Sequence, residues 1–244
     1  MKEKLFKDEH FQDNKKTILV SGATSGMGLK FVELIQQKGY SVITIVRNKS
    51  DIENIKIYED IIEYDFSEPW NIDNAFSGFN QKIDAFVNFA AILPGLSLFE
   101  QSYGGLKNLF DINVISPMLI VKKIQNKLNL DGSIILLGSI SAQKGSFDDP
   151  YAATKGAIHT LVKSLALKFS PDIRVIGIAP GMINNTRMTS NLVEGQYKKT
   201  IARIPLEHAG DPEDIAELIL FLINKHSSFI TGSIIDVNGG QYLR

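Results

Sequence analysis

Short apolar runs alternate with helical patterns from Thr17 almost to the end of the chain. Most runs are nearly continuous in Ile, Val and Leu, as expected of strands buried on both faces of a parallel sheet. The predicted strands are Thr17–Val20, Ser41–Val46, Ile61–Tyr64, Ala85–Phe89, Ser133–Leu137, Arg174–Ile178 and Ser233–Val237. The helical patterns include Gly28–Lys38, Gly105–Lys127, Tyr151–Phe169 and Pro212–Ile223. This alternation predicts an α/β fold, with a doubly wound sheet of about seven parallel strands and helices on both faces.

Length and charge narrow the class of protein. The 244 residues, 44% of them hydrophobic, suffice for one large domain, and no linker or repeat divides them. We expect a polar lead-in over residues 1–16 and a single domain over residues 17–244. The net charge of −1 gives no reason to expect a nucleic-acid partner.

Other bulk features argue against membrane, secreted and metal-binding proteins. No run approaches the ~18 apolar residues of a membrane span, and the N-terminus lacks the apolar core of a secretory signal. The chain has 0 Cys, and its 4 His are scattered without metal-ligand spacing. These features predict a cytoplasmic protein without a metal site.

A glycine-rich loop directly follows the first predicted strand. Gly22, Gly26 and Gly28 let the backbone turn tightly and approach a ligand closely. The N–H groups and positive dipole end of the next helix suit a pyrophosphate. The loop therefore favours nucleotide binding, and the alternative is a turn that only connects strand and helix.

The end of the second strand distinguishes between nucleotides. NAD-binding folds usually place an acidic residue there, about 20 residues beyond the loop, to bind the ribose 2′-hydroxyl. This chain has Arg47 and Asn48 instead, and the planar guanidinium of Arg47 suits a phosphate. We therefore expect NADP(H), the alternative being a surface Arg47 paired with Asp51 or Glu53.

Tyr151 and Lys155 lie four residues apart at the start of a helix. They share one helix face, where the ammonium can favour the phenolate and lower the pKa of the Tyr. Asp149 as N-cap and Pro150 as first helical residue place Tyr151 in the first turn. Ser139, twelve residues earlier at a strand end, completes a predicted proton-donating site.

The same spacing recurs at Tyr103 and Lys107, so spacing alone does not identify a site. Tyr103 precedes two glycines and follows no buried strand that ends in Ser. We expect Tyr103 to have a packing or surface role.

These motifs together resemble the short-chain dehydrogenase/reductase family, in its compact subgroup that includes the 3-oxoacyl-acyl-carrier-protein reductases. The resemblance covers roughly residues 17–241 and implies a Rossmann-type, dinucleotide-binding catalytic domain. The motifs that carry it are GATSGMG at 22–28, Asp65, Asn88, Asn113, Ser139, Tyr151 with Lys155, Pro180-Gly181 and the ending ITGSIIDVNGG.

The resemblance implies a role for each catalytic residue. Tyr151 would be the general acid/base, and Lys155 would lower its pKa and bind the nicotinamide ribose. Ser139 would polarise the substrate oxygen, and the backbone carbonyl of Asn113 would hold a water in a proton relay. Pro117, four residues later, has no N–H to donate back to that carbonyl, which leaves it available to water. A bend needed only for packing is the alternative.

The resemblance also implies the cofactor contacts and an assembly. Thr186 is the least regular contact, because it comes one residue later than usual. A homotetramer or homodimer would form through the helices at Gly105–Lys127 and Tyr151–Phe169. The implied cofactor contacts are Gly22, Thr24, Ser25, Gly26, Met27, Gly28, Arg47, Asp65, Asn88, Ala90, Tyr151, Lys155, Pro180, Gly181 and Thr186.

Three departures from the family pattern affect the substrate. Ala91 adds a Cβ where the backbone normally passes near the cofactor, and the Ser139–Tyr151 interval is one residue shorter than in many relatives. Ser133 and Pro171 occupy positions where acyl-carrier-protein reductases tend to carry basic residues, which disfavours a carrier-protein partner.

We therefore predict reversible, NADP(H)-dependent reduction of a small ketone or aldehyde, with a 3-oxoacyl thioester among the candidate substrates. Two alternatives are a nucleotide-sugar epimerase or dehydratase with bound NAD, and a catalytically silent cofactor-binding regulator. A mixed apolar and amide substrate pocket without an anion clamp is expected from Pro94, Gln143, Phe147, Met182 and Asn191. A lid is expected over Ile183–Arg203, in which Arg187 either meets an acidic substrate or is solvated.

Overall fold

A computed structural model describes residues 15–24, 26–52, 58, 60–186, 189 and 194–244. Nearly all of the predicted lead-in lies outside these residues. Seven parallel strands form one sheet in the order β3-β2-β1-β4-β5-β6-β7. The predicted doubly wound α/β fold is confirmed. The strands are β1 Thr17–Ser21, β2 Ser41–Val46, β3 Asp60–Glu63, β4 Ile83–Asn88, β5 Leu128–Leu137, β6 Arg174–Pro180 and β7 Ile234–Val237.

Helices connect the strands. In the described part of the chain, none of them is both long and apolar enough to cross a membrane. Short 3₁₀ turns occur at Lys49–Ile52, Pro69–Asn71 and Lys225–Ser227. The helices are α1 Gly26–Gln37, α2 Ile72–Ala75, α3 Tyr103–Phe110, α4 Ser116–Ile124, α5 Ser141–Lys144, α6 Asp149–Phe169, α7 Glu194–Ile201 and α8 Pro212–Leu222.

The core has two layers, one on each face of the sheet. Alternate residues of a strand point to opposite faces, and β1 shows this directly. Leu19 packs into the layer formed with α4 and α6, whereas Ile18 and Val20 pack into the layer formed with α1 and α8. This burial on both faces explains why the strands are nearly continuous in apolar residues.

Two predicted elements differ substantially from the observed ones, whereas the other predicted strands and helices agree with them to within two residues at each end. β5 begins at Leu128, not Ser133, with an irregular register beside β4 and a left-handed Asp131 (φ 63°). The predicted helix Gly105–Lys127 is divided by a π-helical turn over Asp111–Ile115. Pro117 explains this turn, because it cannot donate to the Asn113 carbonyl and the ladder widens to a bond from the Ser116 N–H to the Asp111 carbonyl.

Candidate active site

Two adjoining clefts open at the carboxyl-terminal edge of the sheet, where ligands of doubly wound proteins bind. One, of about 450 Å³, lies over the glycine loop and the end of β2. The other, of about 550 Å³, lies beside Tyr151 and Lys155. The two share a wall formed by Met27, Phe89, Ala91 and Thr186. An elongated ligand could therefore reach from one cleft into the other.

The glycine loop packs tightly against the segment that follows β4. Gly22 has φ +70°, and a Cβ there would lie 2.7 Å from the backbone N of Ala90. A Cβ on Gly28 would overlap the carbonyl oxygen of Gly22, so α1 begins directly on the loop. Gly22, Thr24, Gly26, Met27 and Gly28 all line the first cleft. Ser25 lies outside the described residues.

Asn88, at the end of β4, connects β4 to the end of β1, from which the glycine loop starts. Its side-chain oxygen accepts a 2.6 Å hydrogen bond from Ser21, and the Phe89 N–H donates to the Ser21 carbonyl at 3.0 Å. Asn88 is buried and does not line the cleft, whereas Ala90 does. Ala91, the position at which the sequence departs from the family pattern, lines both clefts.

Arg47 and Asp65 lie at the far end of the first cleft. Arg47 directly follows β2 and is exposed, and within the described part of the chain no carboxylate pairs with it. Asp65 accepts from the backbone N–H and hydroxyl of Ser67 through one carboxylate oxygen, at 2.8 and 2.7 Å. An exposed cation and a carboxylate therefore flank this end.

Tyr151 and Lys155 are both buried on α6 and line the second cleft. The Lys155 Nζ lies 5.7 Å from the Tyr151 ring centroid and donates to the Leu137 carbonyl at 2.8 Å. Burial lowers the pKa of Lys155 to about 8. The pKa of Tyr151 is raised to about 12, because the raising effect of burial is larger than the lowering effect of a hydrogen bond with Ser139. The prediction that Lys155 lowers the pKa of Tyr151 below its usual value is therefore wrong for the protein without a bound ligand, because desolvation of the phenolate is the largest effect.

Ser139 follows β5 and lines the cleft beside Tyr151. Its Oγ accepts from the Ser141 N–H at 3.0 Å, and its N–H points to Nε2 of His159 at 3.4 Å. Burial, with the nearby charges of Arg244 and Lys155, lowers the pKa of His159 to about 4. A neutral His159 therefore supports the backbone of Ser139. It lies four residues after Lys155, a spacing that could have indicated this contact.

Asn113, in the π-helical turn, is buried and joins three parts of the site. Its Oδ1 accepts from the Ile92 N–H at 2.8 Å, and its Nδ2 donates to the Ile92 carbonyl at 3.0 Å. Nδ2 also donates to Thr154 Oγ1 on α6, at 3.1 Å. The side chain of Asn113 thus fixes the loop after β4 relative to the helix of Tyr151.

Asp148 is a residue that the sequence prediction missed. It is the N-cap of α6, a role predicted for Asp149, and its Oδ1 accepts from the Tyr151 N–H at 2.9 Å. Its Oδ2 accepts from the Gly95 N–H at 2.8 Å. The two consecutive Asp residues left the choice of cap ambiguous, and only burial distinguishes them, since Asp148 is fully buried and Asp149 is exposed.

The remaining predicted cofactor contacts lie around the end of β6. Pro180 and Gly181 line the second cleft, and Thr186 lines both clefts. A Cβ on Gly181 would lie 2.8 Å from Cα of Asn238, so close packing requires this glycine. The Thr186 hydroxyl donates to the Ile183 carbonyl at 3.3 Å.

The predicted substrate pocket is only partly correct. Phe147 and Met182 line the second cleft, but Pro94 does not. Gln143 does not line it either, because its Nε2 donates to Asp236 on β7 at 3.1 Å. Asn191 and Arg187 lie outside the described residues. Lys144 and Arg203, which were not predicted as pocket residues, line the cleft, so its charged side chains are cationic.

Tyr103 and Lys107, which have the same spacing as Tyr151 and Lys155, lie outside the two clefts. Tyr103 is 83% exposed at the start of α3, which agrees with the surface role expected of it. Lys107 pairs with Asp111 at 2.5 Å and lies 5.5 Å from the Trp70 ring centroid. The pair faces neither cleft.

Comparison with known proteins agrees with the fold and the motifs. A family model described as enoyl-(acyl carrier protein) reductase matches residues 22–241. The 3-oxoacyl-[acyl-carrier-protein] reductase of Buchnera aphidicola subsp. Schizaphis graminum is 32% identical over 94% of this chain and 98% of its own.

Two solved structures extend the comparison. A short-chain dehydrogenase/reductase from Brucella melitensis, titled glucose/ribitol dehydrogenase, has a TM-score of 0.86 and 29% identity over 94% of this chain and 97% of its own. A 4-hydroxyisoleucine dehydrogenase complexed with NADH has a TM-score of 0.85 and 27% identity over 93% of this chain and 98% of its own. By sequence and by structure, the chain belongs to the short-chain dehydrogenase/reductase family of oxidoreductases.

Proposed function

We propose that the protein catalyses reversible, NADP(H)-dependent reduction of a ketone or aldehyde to an alcohol. The observation that carries the proposal is the second cleft, in which the side chains of Tyr151, Lys155 and Ser139 face one space. That space adjoins the cleft over the glycine loop. The site thus combines acid/base groups in one cleft with a neighbouring cleft that could bind a dinucleotide.

The residues present fit a nicotinamide dinucleotide. Gly22 and Gly28 leave no room for a Cβ, and they bring the start of α1 to the first cleft, where N–H groups can bind a pyrophosphate. Pro180, Gly181 and Thr186 border the nicotinamide end. The bound nicotinamide supplies the hydride that reduces the carbonyl carbon.

Tyr151 donates the proton that the carbonyl oxygen needs, and Ser139 donates a hydrogen bond to the same oxygen. Lys155 carries its charge at neutral pH, since its pKa is about 8, and this charge favours the phenolate left after proton transfer. A positioned acid of this kind typically contributes about 10²–10⁴-fold in rate.

The proton must then be replaced from solvent. We assign this relay to the backbone carbonyl of Asn113 and a water bound to it. The π-helical turn and Pro117 support the assignment, because Pro117 has no N–H to donate to that carbonyl. The Asn113 side chain, bonded to Ile92 and Thr154, keeps the turn in place.

The preference for NADP(H) rests on Arg47. Within the described residues its guanidinium has no carboxylate partner and faces the first cleft at the end of β2. A guanidinium binds a 2′-phosphate, whereas it cannot accept a hydrogen bond from a ribose hydroxyl. The family includes a dehydrogenase complexed with NADH, so both cofactors need to be compared directly.

Assembly into a homodimer or homotetramer is also part of the proposal. Met118, Leu119, Leu161, Leu165 and Phe169 line an open groove between α4 and α6, and Met118 is 44% exposed. A second copy of the chain would cover this apolar face. Light scattering after size-exclusion chromatography distinguishes monomer, dimer and tetramer.

Oxidation of NADPH, followed at 340 nm over a panel of small ketones, sugars, steroids and 3-oxoacyl thioesters, tests the reaction class. Tyr151→Phe should nearly abolish turnover and leave NADPH binding intact. Full activity in that variant contradicts the mechanism. NAD that co-purifies with the protein would instead indicate the epimerase or dehydratase reaction, and NADPH binding without oxidation of any compound would indicate a silent regulator.

A further inference from the structure

The cleft beside Tyr151 has an unbalanced charge. Among the described residues that line it, three are cationic and none is a carboxylate. Lys155 is the buried cation already assigned to proton transfer. The other two, Lys144 and Arg203, lie on separate segments, at the end of α5 and after α7. Neither of them has a role in the proposed proton and hydride transfer.

Lys144 and Arg203 are both exposed, and neither forms an ion pair within the described residues. Other lysines of this protein do have carboxylate partners, as Lys30 has Glu213 and Lys198 has Glu194. Clefts lined by one sign of charge concentrate ligands of the opposite sign. The second cleft therefore favours an anionic ligand.

The phosphates of the cofactor do not account for these cations. The pyrophosphate and the 2′-phosphate are assigned to the first cleft, which Arg47 lines and neither Lys144 nor Arg203 does. Both lie in the second cleft, beyond the wall shared by the two, together with Ser139 and Tyr151. They therefore border the space in which the substrate would be reduced.

We propose, on the basis of the function proposed above, that the carbonyl substrate carries a carboxylate or phosphate group that Lys144 and Arg203 bind. Arg suits either group through its planar fork, and Lys adds a point charge. The hydroxyls of Ser141 and Ser146 lie in the same wall as Lys144 and supply neutral donors. Leu93, Ile140, Phe147 and Met182 line the cleft and suit a carbon chain between the anion and the carbonyl.

The test compares substrates matched in shape and different in charge. Small keto acids are assayed against their methyl esters, and phosphorylated hydroxyketones against the unphosphorylated compounds, with NADPH held saturating. The anionic member of at least one pair should show a kcat/KM at least tenfold higher than its neutral counterpart. Whether the carboxylate pair or the phosphate pair shows the preference identifies the anion, and either result supports the proposal.

Variants then locate the binding group. Arg203→Gln and Lys144→Gln should each raise the KM for the anionic compound about tenfold, equivalent to about 1.4 kcal/mol, and leave kcat nearly unchanged. Arg203→Lys should restore part of the loss. The KM for the neutral compound and for NADPH should not move. Lys38→Gln, an exposed lysine just after α1 that lines neither cleft, is the matched control.

Three results overturn the inference. The first is an equal kcat/KM for the neutral and the anionic compound in both substrate pairs. The second is a rise in the KM for NADPH alone in Arg203→Gln and Lys144→Gln. The third is a KM for the anionic compound that stays constant as ionic strength rises, because screening should weaken contacts between these charges. If no carbonyl compound of either charge is reduced, the proposed function itself fails, and that result differs from reduction without charge preference.

Discussion

The buried carboxylate of Asp148 accepts a hydrogen bond of 2.9 Å from the backbone N–H of Tyr151. Its second oxygen accepts a bond of 2.8 Å from the N–H of Gly95. One side chain therefore fixes both the first turn of α6 and the loop that follows β4. Because Tyr151 lies in that first turn, the position of the proposed proton donor depends on Asp148.

Asp148→Ala should lower both stability and turnover. The substitution removes a helix cap worth about 0.5–2 kcal/mol and also the hydrogen bond from the N–H of Gly95, an exposed residue whose N–H water can reach instead. We expect a lower unfolding midpoint in urea, and a fall in kcat with NADPH binding largely retained. Asp149→Ala is the matched control, because Asp149 is exposed and bonds only weakly to the Leu98 N–H at 3.2 Å. Equal effects of the two substitutions would contradict this role.

Gly22→Ala should abolish cofactor binding. Its φ of +70° is costly for a residue with a side chain, and the new Cβ would lie 2.7 Å from the backbone N of Ala90. The loop has to move away from the segment after β4, which distorts the proposed pyrophosphate cradle. Fluorescence titration with NADPH measures the loss. Gly78→Ala serves as the control, because nothing lies within 4 Å of a Cβ there, and its affinity should equal that of the wild type.

Lys155→Met should remove turnover and yet stabilise the protein at pH 7. Burial lowers the pKa of Lys155 from 10.5 to about 8, so the folded protein pays for keeping a charge out of water. Each pKa unit corresponds to about 1.4 kcal/mol. The Leu137 carbonyl loses its donor in the variant, so we expect a net gain of about 1–3 kcal/mol.

The sign of the pH effect follows from linkage. Between pH 8 and pH 10.5 the unfolded chain binds more protons at Lys155 than the folded protein does, so wild-type stability rises with pH in this window. The advantage of Lys155→Met should therefore shrink from pH 7 to pH 9.5 in urea unfolding of the cofactor-free protein. An advantage that stays constant over this range would show that the pKa of Lys155 is not lowered.

The strand pattern and the motif order were predictable because both depend on local chemistry. Strands buried on both faces must be apolar, and β2 was predicted over its full observed range of Ser41–Val46. Pro117 likewise allowed the altered helix near Asn113 to be predicted, because the missing N–H is a property of one residue. The π-helical form of that alteration was not predicted.

Properties that depend on burial or on distant contacts were not predictable. The start of β5 was hidden by the polar stretch Asn129–Ser133. Leu128 and Ser133 pair with Ile83 and Ala85 of β4, and the register between these two pairs is irregular. The pKa of Tyr151 was predicted to fall because Lys155 shares its helix face, but desolvation by the surrounding fold raises it to about 12. The cleft position of Arg203 depends on its proximity to residues far away in the chain, such as Lys144 and Tyr151, and periodicity carries no information about such contacts.

Arg47→Gln should reduce the preference for NADPH over NADH. The exposed guanidinium has no carboxylate partner within the described residues, so its removal costs little stability. A charge-assisted contact with a 2′-phosphate is worth about 1.5–3 kcal/mol, which corresponds to a rise of about 10–100-fold in the KM for NADPH. The KM for NADH should stay within about twofold of the wild-type value, because NADH lacks that phosphate.

Steady-state kinetics with both cofactors at saturating carbonyl substrate measures the ratio of the two KM values, with Lys38→Gln as a control for the change in net charge. A wild-type enzyme that uses both cofactors equally well, or a variant in which both KM values rise together, would assign Arg47 to a part of the nucleotide that NADH and NADPH share.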